Sequence, residues 1–304
     1  MGLKLELFDL IKQNVKCSPE FISNELNLRV NIIKTWCDSM VAEGLMNKMN
    51  NEYSLTKWPK KYLCKDSKSY IGFILGAVKY FTNAFSNFEN NFRKDKEFFK
   101  YTPDQMLGIA ENIAPIANFI FPRIISEIGS NEKPINVLDV GCGLGYYLFK
   151  FAEFYPQFKG TGIDIEPLIL DQARKIAQKK KLDNNITFLK GNVLDLKLDK
   201  KYDLIILSNI IQAFNTNQNI KLFKSLYTLL NQNGKIIIID CLLDEDKIDA
   251  KFNIFFNLYL QFESLTAKLY TLNELTEIAR LSLLKFTKHN NLMLGIDLII
   301  FQKS

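Results

Sequence analysis

The stretch NVLDVGCGLGYYL, residues 136–148, joins an apolar run to three glycines at 141, 143 and 145. The run reads as a buried strand and the glycines as a turn leading into a helix. Glycine removes the side chain where a chain must turn tightly or lie against a ligand. A hydride-carrying dinucleotide, a nucleoside triphosphate and an adenosyl sulfonium are the candidate ligands for such a turn. The spacing is GxGxG: a dinucleotide fingerprint would need glycine at Tyr146, and a phosphate-binding P-loop would need a GK[ST] ending that is absent.

Working outward, strands are expected at 136–140, 160–164, 186–189, 203–208, 235–240, 284–288 and 293–301, with helices at 145–155, 168–180, 218–230 and 272–281. The last helix follows a capping box from Thr271 to Glu274. VLDV, LIIL and KIIIID are apolar on both faces, as in a parallel sheet covered by helices. The fold class expected is α/β, with a doubly wound domain over 131–304. In such a domain ligands lie over the carboxyl ends of the strands, where the strand order reverses. Asp164, closing the second strand 25 residues after Asp139, can accept both ribose hydroxyls of an adenosine. Asp139, beneath the glycine turn, can attract a cationic amine or bond the turn's own amides, and it sits badly with a pyrophosphate.

Residues 1–66 read as a second, mainly helical unit. Ser18 and Pro19 start one helix; VNIIKTWCDSMVAEGL carries apolar Ile33, Trp36, Met40 and Val41 and stops near Gly44. LMNKMNNEYSLT then reads as two short strands around Asn50 and Asn51. Two helices and a hairpin are a winged-helix pattern. Its second helix exposes Arg29 and Lys34 beside Asp38 and Glu43, a poor match to a phosphate backbone. Packing against a second subunit is the favoured use, with Lys48, Lys57, Lys60 and Lys61 of the wing keeping DNA as the alternative. Between the two units, 67–130 is aromatic and helical in tendency: Thr102 and Pro103 start a helix, and Pro115 and Pro122 should bend or break the path. Its aromatic surplus suits an apolar pocket, a dimer seam or plain core packing.

Composition narrows the classes. The chain has 304 residues, 47% hydrophobic and 24% charged, as folded globular proteins do. Its net charge of +6 is scattered, and the lysine run 179–181 reads as the wet end of a helix. Cys17, Cys37, Cys64, Cys142 and Cys241 form no CxxC and His289 is the sole histidine, so no metal cluster or disulfide framework is expected. His289 itself reads as an exposed turn residue between the last two strands. The start lacks a secretory core, Glu6 stands where a myristoylation signal needs Ser or Thr, and no segment reaches about twenty apolar residues. A cytoplasmic protein without membrane insertion is expected.

The motifs VLDVGCGLG, GTGIDIE, NITFLKGNVLD, YDLIILSNIIQAF and LLNQNGKIIIID, in that order, resemble those of class I S-adenosylmethionine-dependent methyltransferases. MVAEGL and EYSLT bring the resemblance closer to the winged-helix-containing small-molecule O-methyltransferases, the family of plant caffeate-type, hydroxyindole-type and bacterial natural-product enzymes. The resemblance implies a Rossmann-like methyltransferase domain, a homodimer joined through the N-terminal winged helix, and S-adenosyl-L-methionine as cofactor. It implies cofactor contacts at Asp139, Gly141, Cys142, Gly143, Gly145, Asp164, Ile165, Asn192, Val193, Ser208 and Asn209. Asn192 stands where many relatives carry an aspartate for the adenine amino group; its side-chain oxygen can accept the same bond.

Methyl transfer is a direct displacement at an activated carbon, so alignment in a dry pocket is most of the protein's task. In the resembling family a histidine acts as base after the fourth strand; here the matching residue is Gln212, an amide that can orient but not act as a base. Three readings follow: proximity alone suffices, another acid takes over (Glu263, or Asp240 and Asp244 after the fifth strand), or the domain binds cofactor without catalysis. Tyr101, Met106, Phe214, Phe256 and Tyr259 are candidate walls for a small apolar or aromatic substrate. A nucleic-acid methyltransferase is the enzymatic alternative; SNII at 208–211 replaces its NPPY or DPPY tetrapeptide. No metal is expected.

Overall fold

The computed structural model describes residues 2–3, 5–67, 70, 72, 101–128, 135–155, 157–246, 251–264, 266–293 and 295–303, without the side chains of 251, 252, 263 and 293. The chain divides into two compact units, Met1–Val78 and Lys79–Ser304. The aromatic stretch 73–100 lies outside the described residues.

In the first unit, α1 (Leu7–Asn14), α2 (Pro19–Leu26) and α3 (Val30–Ala42) precede the hairpin strands β1 (Met46–Met49) and β2 (Glu52–Leu55) and the short α4 (Lys57–Tyr62). The Ser18 hydroxyl accepts the Phe21 N–H, as the sequence led one to expect of an N-cap before Pro19. Asn50 and Asn51 take φ of 52° and 61°, the two left-handed positions of a type I′ hairpin. A bridge from Cys17 to Tyr53 ties the chain before α2 to the hairpin. Leu7, Ile11, Ile22, Ile33, Cys37 and Tyr53 are buried in one core, so this unit has an interior of its own. Lys57, Lys60 and Lys61, expected on the wing, lie instead on α4, because Thr56 ends the strand and the chain turns helical. Lys48 stays on the hairpin, where its ammonium pairs with Asp38 at 2.6 Å.

In the second unit, α5 (Pro103–Ile113) starts at a capping box of Thr102 and Gln105, and Pro115 separates it from α6 (Ile116–Ile128). Pro122 lies inside α6, which runs through it. Then come β3 (Ile135–Val140), α7 (Tyr146–Phe154), β4 (Phe158–Asp164), α8 (Pro167–Lys179), β5 (Ile186–Lys190), β6 (Tyr202–Ser208), α9 (Thr216–Leu229), β7 (Leu230–Leu243), α10 (Lys251–Glu263), β8 (Tyr270–Thr271), α11 (Leu272–Arg280), β9 (Leu284–Met293) and β10 (Ile296–Lys303). The strands form one sheet in the order β5-β4-β3-β6-β7-β10-β9, with β8 paired to β7. From β5 to β7 the pairs are parallel; β10 is antiparallel to β7 and to β9. Leu138, Val140, Ile205, Leu207, Ile236 and Ile238 lie in one buried cluster with Leu222, Phe223 and Leu226 of α9. That explains their apolar runs.

The expected strands and helices of this unit are present, with two corrections. β9 continues to Met293, so His289 stands in a strand opposite Ile299 rather than in a turn. Its Nε2 lies 2.7 Å from the Asp297 carboxylate. Asp240, expected after the fifth strand, lies within it, because β7 extends to Leu243; Asp244 follows the strand and is exposed. Lys179–Lys181 do form the exposed end of a helix, α8.

Candidate functional site

β3 pairs with β4 on one side and, across the chain reversal, with β6 on the other. A crevice therefore opens above the carboxyl ends of these strands. The glycine turn fills its floor. The N–H groups of Gly141 and Cys142 both donate to the Ile163 carbonyl, at 2.8 and 2.9 Å, and Gly145 N–H donates to the Cys142 carbonyl. Gly141 (φ 71°) and Gly143 (φ 51°) are left-handed, where an L side chain costs about 1–2 kcal/mol. They differ in surroundings. A Cβ on Gly141 would come within 2.8 Å of Ile210, whereas on Gly143 it would meet only the Ala110 methyl at 4.0 Å. The turn is thus packed at its base and open at Gly143, where a ligand can approach the backbone.

Asp164, at the tip of β4, fixes this turn. One carboxylate oxygen accepts the Gly143 N–H at 2.9 Å and the other accepts the Glu166 N–H at 3.0 Å. The turn's amides therefore bond Asp164 and Ile163, not Asp139. Each Asp164 oxygen keeps a lone pair for a further donor such as a ribose hydroxyl. Beside it Ile165 is 60% exposed, an apolar surface at the rim.

Asp139 is 1% exposed, and its Oδ2 has no hydrogen-bond partner. Burial, then the neighbouring Asp164, push its carboxyl up to about 8. Tyr147, on α7, is also buried; burial raises its pKa, the Ser208 side chain pulls against that, and the Asp139 charge adds to it. Cys142 is buried and its thiol is pushed well up by burial. On the far side of Asp164, the Asn192 oxygen accepts the Leu194 N–H and its amide donates to Asp195 at 3.4 Å. Val193 is buried in the core cluster, so only its backbone is left for a ligand. Asn209, after Ser208, has φ 53° and donates its N–H to the Ile239 carbonyl.

Gln212 lies in a 3-10 turn, Ile211–Ala213, held by its carbonyls. The Asn219 amide donates to Ile211 O and Phe214 O, Lys268 N–H donates to Gln212 O, and the Tyr270 hydroxyl donates to Phe214 O at 2.6 Å. With the backbone so fixed, the Gln212 Oε1 is buried without a donor. Asp240 lies next to this turn. It is 1% exposed, Oδ1 accepts the Cys241 N–H at 2.9 Å, and Oδ2 has no partner. Burial pushes it up to about 8; the amides of Cys241, Gln212 and Ile211 pull against that, and Asp297 adds to it. Asp297 faces Asp240 across the β7–β10 ladder and binds His289.

Of the expected substrate walls, Tyr101, Phe256 and Tyr259 come together around Cys241, Leu243 and Leu260, the two α10 rings stacking at 6.0 Å. Phe214 packs instead against the central core, and Met106 stands half-buried on α5. The Glu263 side chain lies outside the described residues. Asn219, Tyr147, Tyr270 and Asp297 were not singled out from sequence, nor was the grouping of Asp297 with Asp240 and His289. Aspartates closing or interrupting apolar strands, in KIIIID and GIDLII, were the available signal for the last group.

The residues of the crevice fit an adenosyl cofactor with a cationic tail: an open glycine turn, a strand-end carboxylate for a diol, and below them a buried carboxyl without a cation. This is a Rossmann-like fold of the S-adenosylmethionine-dependent methyltransferase class. Residues 131–279 match the methyltransferase domain family. A malonyl-[acyl-carrier protein] O-methyltransferase from Ilyobacter polytropus is 30% identical over 128 residues, 41% of this chain and 45% of that protein. The chain thus spans less than half the length of the curated relatives it matches. Over the whole chain the fold is shared with an O-methyltransferase family protein from Burkholderia thailandensis, at TM-score 0.77 and 18% identity, covering 100% of this chain and 92% of that one. Human N-acetylserotonin methyltransferase, solved in complex with S-adenosylmethionine, gives TM-score 0.77, 17% identity and the same coverage. Among the described residues no helix is long and apolar enough to cross a membrane, and no group of three or more His, Cys, Asp or Glu is placed to hold a metal.

Proposed function

We propose that the chain transfers a methyl group from S-adenosylmethionine to a small, apolar or aromatic acceptor. The observation that carries this reading is the glycine turn, open at Gly143 and tied by Gly143 N–H to the strand-end carboxylate of Asp164. When bound, the cofactor supplies a methyl on a positively charged sulfur, already activated for displacement. The chain's part is to hold, align and exclude water. The Tyr101–Phe256–Tyr259 cluster supports an aromatic or apolar wall, and methyltransferases acting on N-acetylserotonin and on malonyl-carrier protein share the fold or the domain.

At the acceptor, Gln212 Oε1 is a buried oxygen in need of a donor, which supports a role in orienting an O–H or N–H of the acceptor. Asp240, beside this turn, holds its own proton up to about pH 8, so the proton that the acceptor releases passes to solvent. Catalysis then proceeds without a histidine base. The exposed Val30 and Ile32 of α3 support use of the first unit as a homodimer surface.

The test is transfer of labelled methyl from S-adenosylmethionine to a panel of phenols, hydroxyindoles and aryl amines. Label should enter the organic extract, and Gln212→Ala should slow it about tenfold, the scale of one lost hydrogen bond, with cofactor affinity unchanged. No labelled product from any acceptor, with the cofactor still bound, would favour a non-catalytic binding role.

A further inference from the structure

Asp139 is a fully buried carboxyl beneath the glycine turn, and among the described residues no cation bears on it. Among the described residues, the titratable groups that bear on it are Asp164 from β4 and, through mutual repulsion, Cys142 in the turn and Tyr147 on α7. None of them is a cation. The guanidinium of Arg174 on α8, which acts on Cys142, is engaged by Asp171 and by the Phe188 carbonyl. A carboxylate left in that setting would carry an uncompensated buried charge, which is strongly unfavourable. A buried carboxyl resolves this by keeping its proton.

A ligand that brings a positive charge into the crevice reverses the balance. An opposite charge within a few ångströms favours the ionised carboxyl. We infer that Asp139 is protonated in the free protein and gives up its proton when the cationic cofactor binds, so that binding is coupled to proton release. The chemistry balances as a carboxylic acid and a cation going to a carboxylate–cation pair with one proton passed to solvent. The unpartnered Oδ2 of Asp139 is the buried polar atom left open for this rearrangement. Selectivity follows from it. A dinucleotide presents pyrophosphate, which gives Asp139 no reason to ionise, whereas a ligand with an ammonium or sulfonium group does.

This inference rests on the cofactor reading above, and one calorimetric series separates the two. The full chain and Asp139→Asn are titrated with S-adenosylmethionine and S-adenosylhomocysteine at pH 7 in buffers of different ionisation enthalpy. The ligand's own amine, with pKa of about 7.7–8.0, is mostly protonated at pH 7 before and after binding, so the difference between the two proteins reads chiefly Asp139. The difference expected is about one proton released per ligand, since the free carboxyl titrates near 8. Affinity of the unmodified protein should rise about tenfold per pH unit from pH 6 to 7 and pass through a maximum near pH 8, where the ligand's ammonium loses its own proton, with no such rise in Asp139→Asn. In parallel, infrared difference spectra of aspartate-labelled wild-type protein should lose a protonated-carboxyl band on ligand addition, a readout that needs no folded variant. Binding with equal proton release in both proteins, or an unchanged carboxyl band, overturns the inference. Absence of binding to either ligand overturns the cofactor reading itself.

Discussion

Asp240 has a buried carboxyl that stays protonated to about pH 8. The unfolded chain titrates near 3.9, so the folded form binds an extra proton between the two values. Stability from this group is full below about pH 4 and is lost as pH rises through 8, at most about 1.4 kcal/mol per pH unit. Asn keeps the shape and removes the titration. Asp240→Asn should therefore melt progressively higher than the unmodified protein as pH goes from 5 to 8, with the gap smallest at pH 5. Parallel melting curves across that range would show that Asp240 is ionised in the fold. Gly141 is constrained twice, by its backbone and by a neighbouring side chain. Its left-handed backbone and the Ile210 side chain 2.8 Å from a new Cβ both oppose Gly141→Ala. That change should destabilise the protein by about 2 kcal/mol or more, measured by urea unfolding. Gly143→Ala, in open space, carries only the backbone strain.

Among the elements, the turn Ile211–Ala213 is held from outside itself. Asn219 on α9 donates to two of its carbonyls and Tyr270 of β8 to one of these. Asn219→Ala removes one of the two donors at each of the Ile211 and Phe214 carbonyls, leaving the Phe214 N–H and the Tyr270 hydroxyl, at about 0.5–1.5 kcal/mol per lost bond, and loosens the backbone under Gln212. Denaturant unfolding should register the loss, and methyl transfer should fall while cofactor affinity holds. If both affinity and turnover fall together, the turn is coupled to the glycine site and not merely to the acceptor. The strand–helix rhythm from 135 onward was legible in the sequence because strands buried on both faces show as uninterrupted apolar runs, and because capping residues such as Ser18, Thr102 and Thr271 mark helix starts locally. What the sequence left hidden was cross-strand. Asp297 faces Asp240 only through the β7–β10 register, and His289 reaches Asp297 only because β9 continues past residue 288. Pro122, expected to bend or break the path, does not break α6, which continues through it.

For the molecule as a whole, the first unit has its own buried core, while the second carries the glycine turn and every group argued to act on cofactor or acceptor. The exposed apolar residues of α3, Val30 and Ile32, give that first unit an outward surface suited to association. Sedimentation equilibrium should find a dimer, and Ile32→Glu should shift it toward monomer without altering the glycine turn. A monomer at all concentrations removes the dimer from the account. The central claim, that the turn and Asp164 together hold S-adenosylmethionine, is tested most directly by titrating the purified chain with that cofactor and with S-adenosylhomocysteine, beside Asp164→Ala. The account predicts saturable binding of both ligands to the unmodified protein and its loss in the variant, because the carboxylate that anchors Gly143 N–H is the group proposed to take the ribose hydroxyls. Folded protein that binds neither ligand, or an Asp164→Ala variant that binds both as well as before, contradicts it.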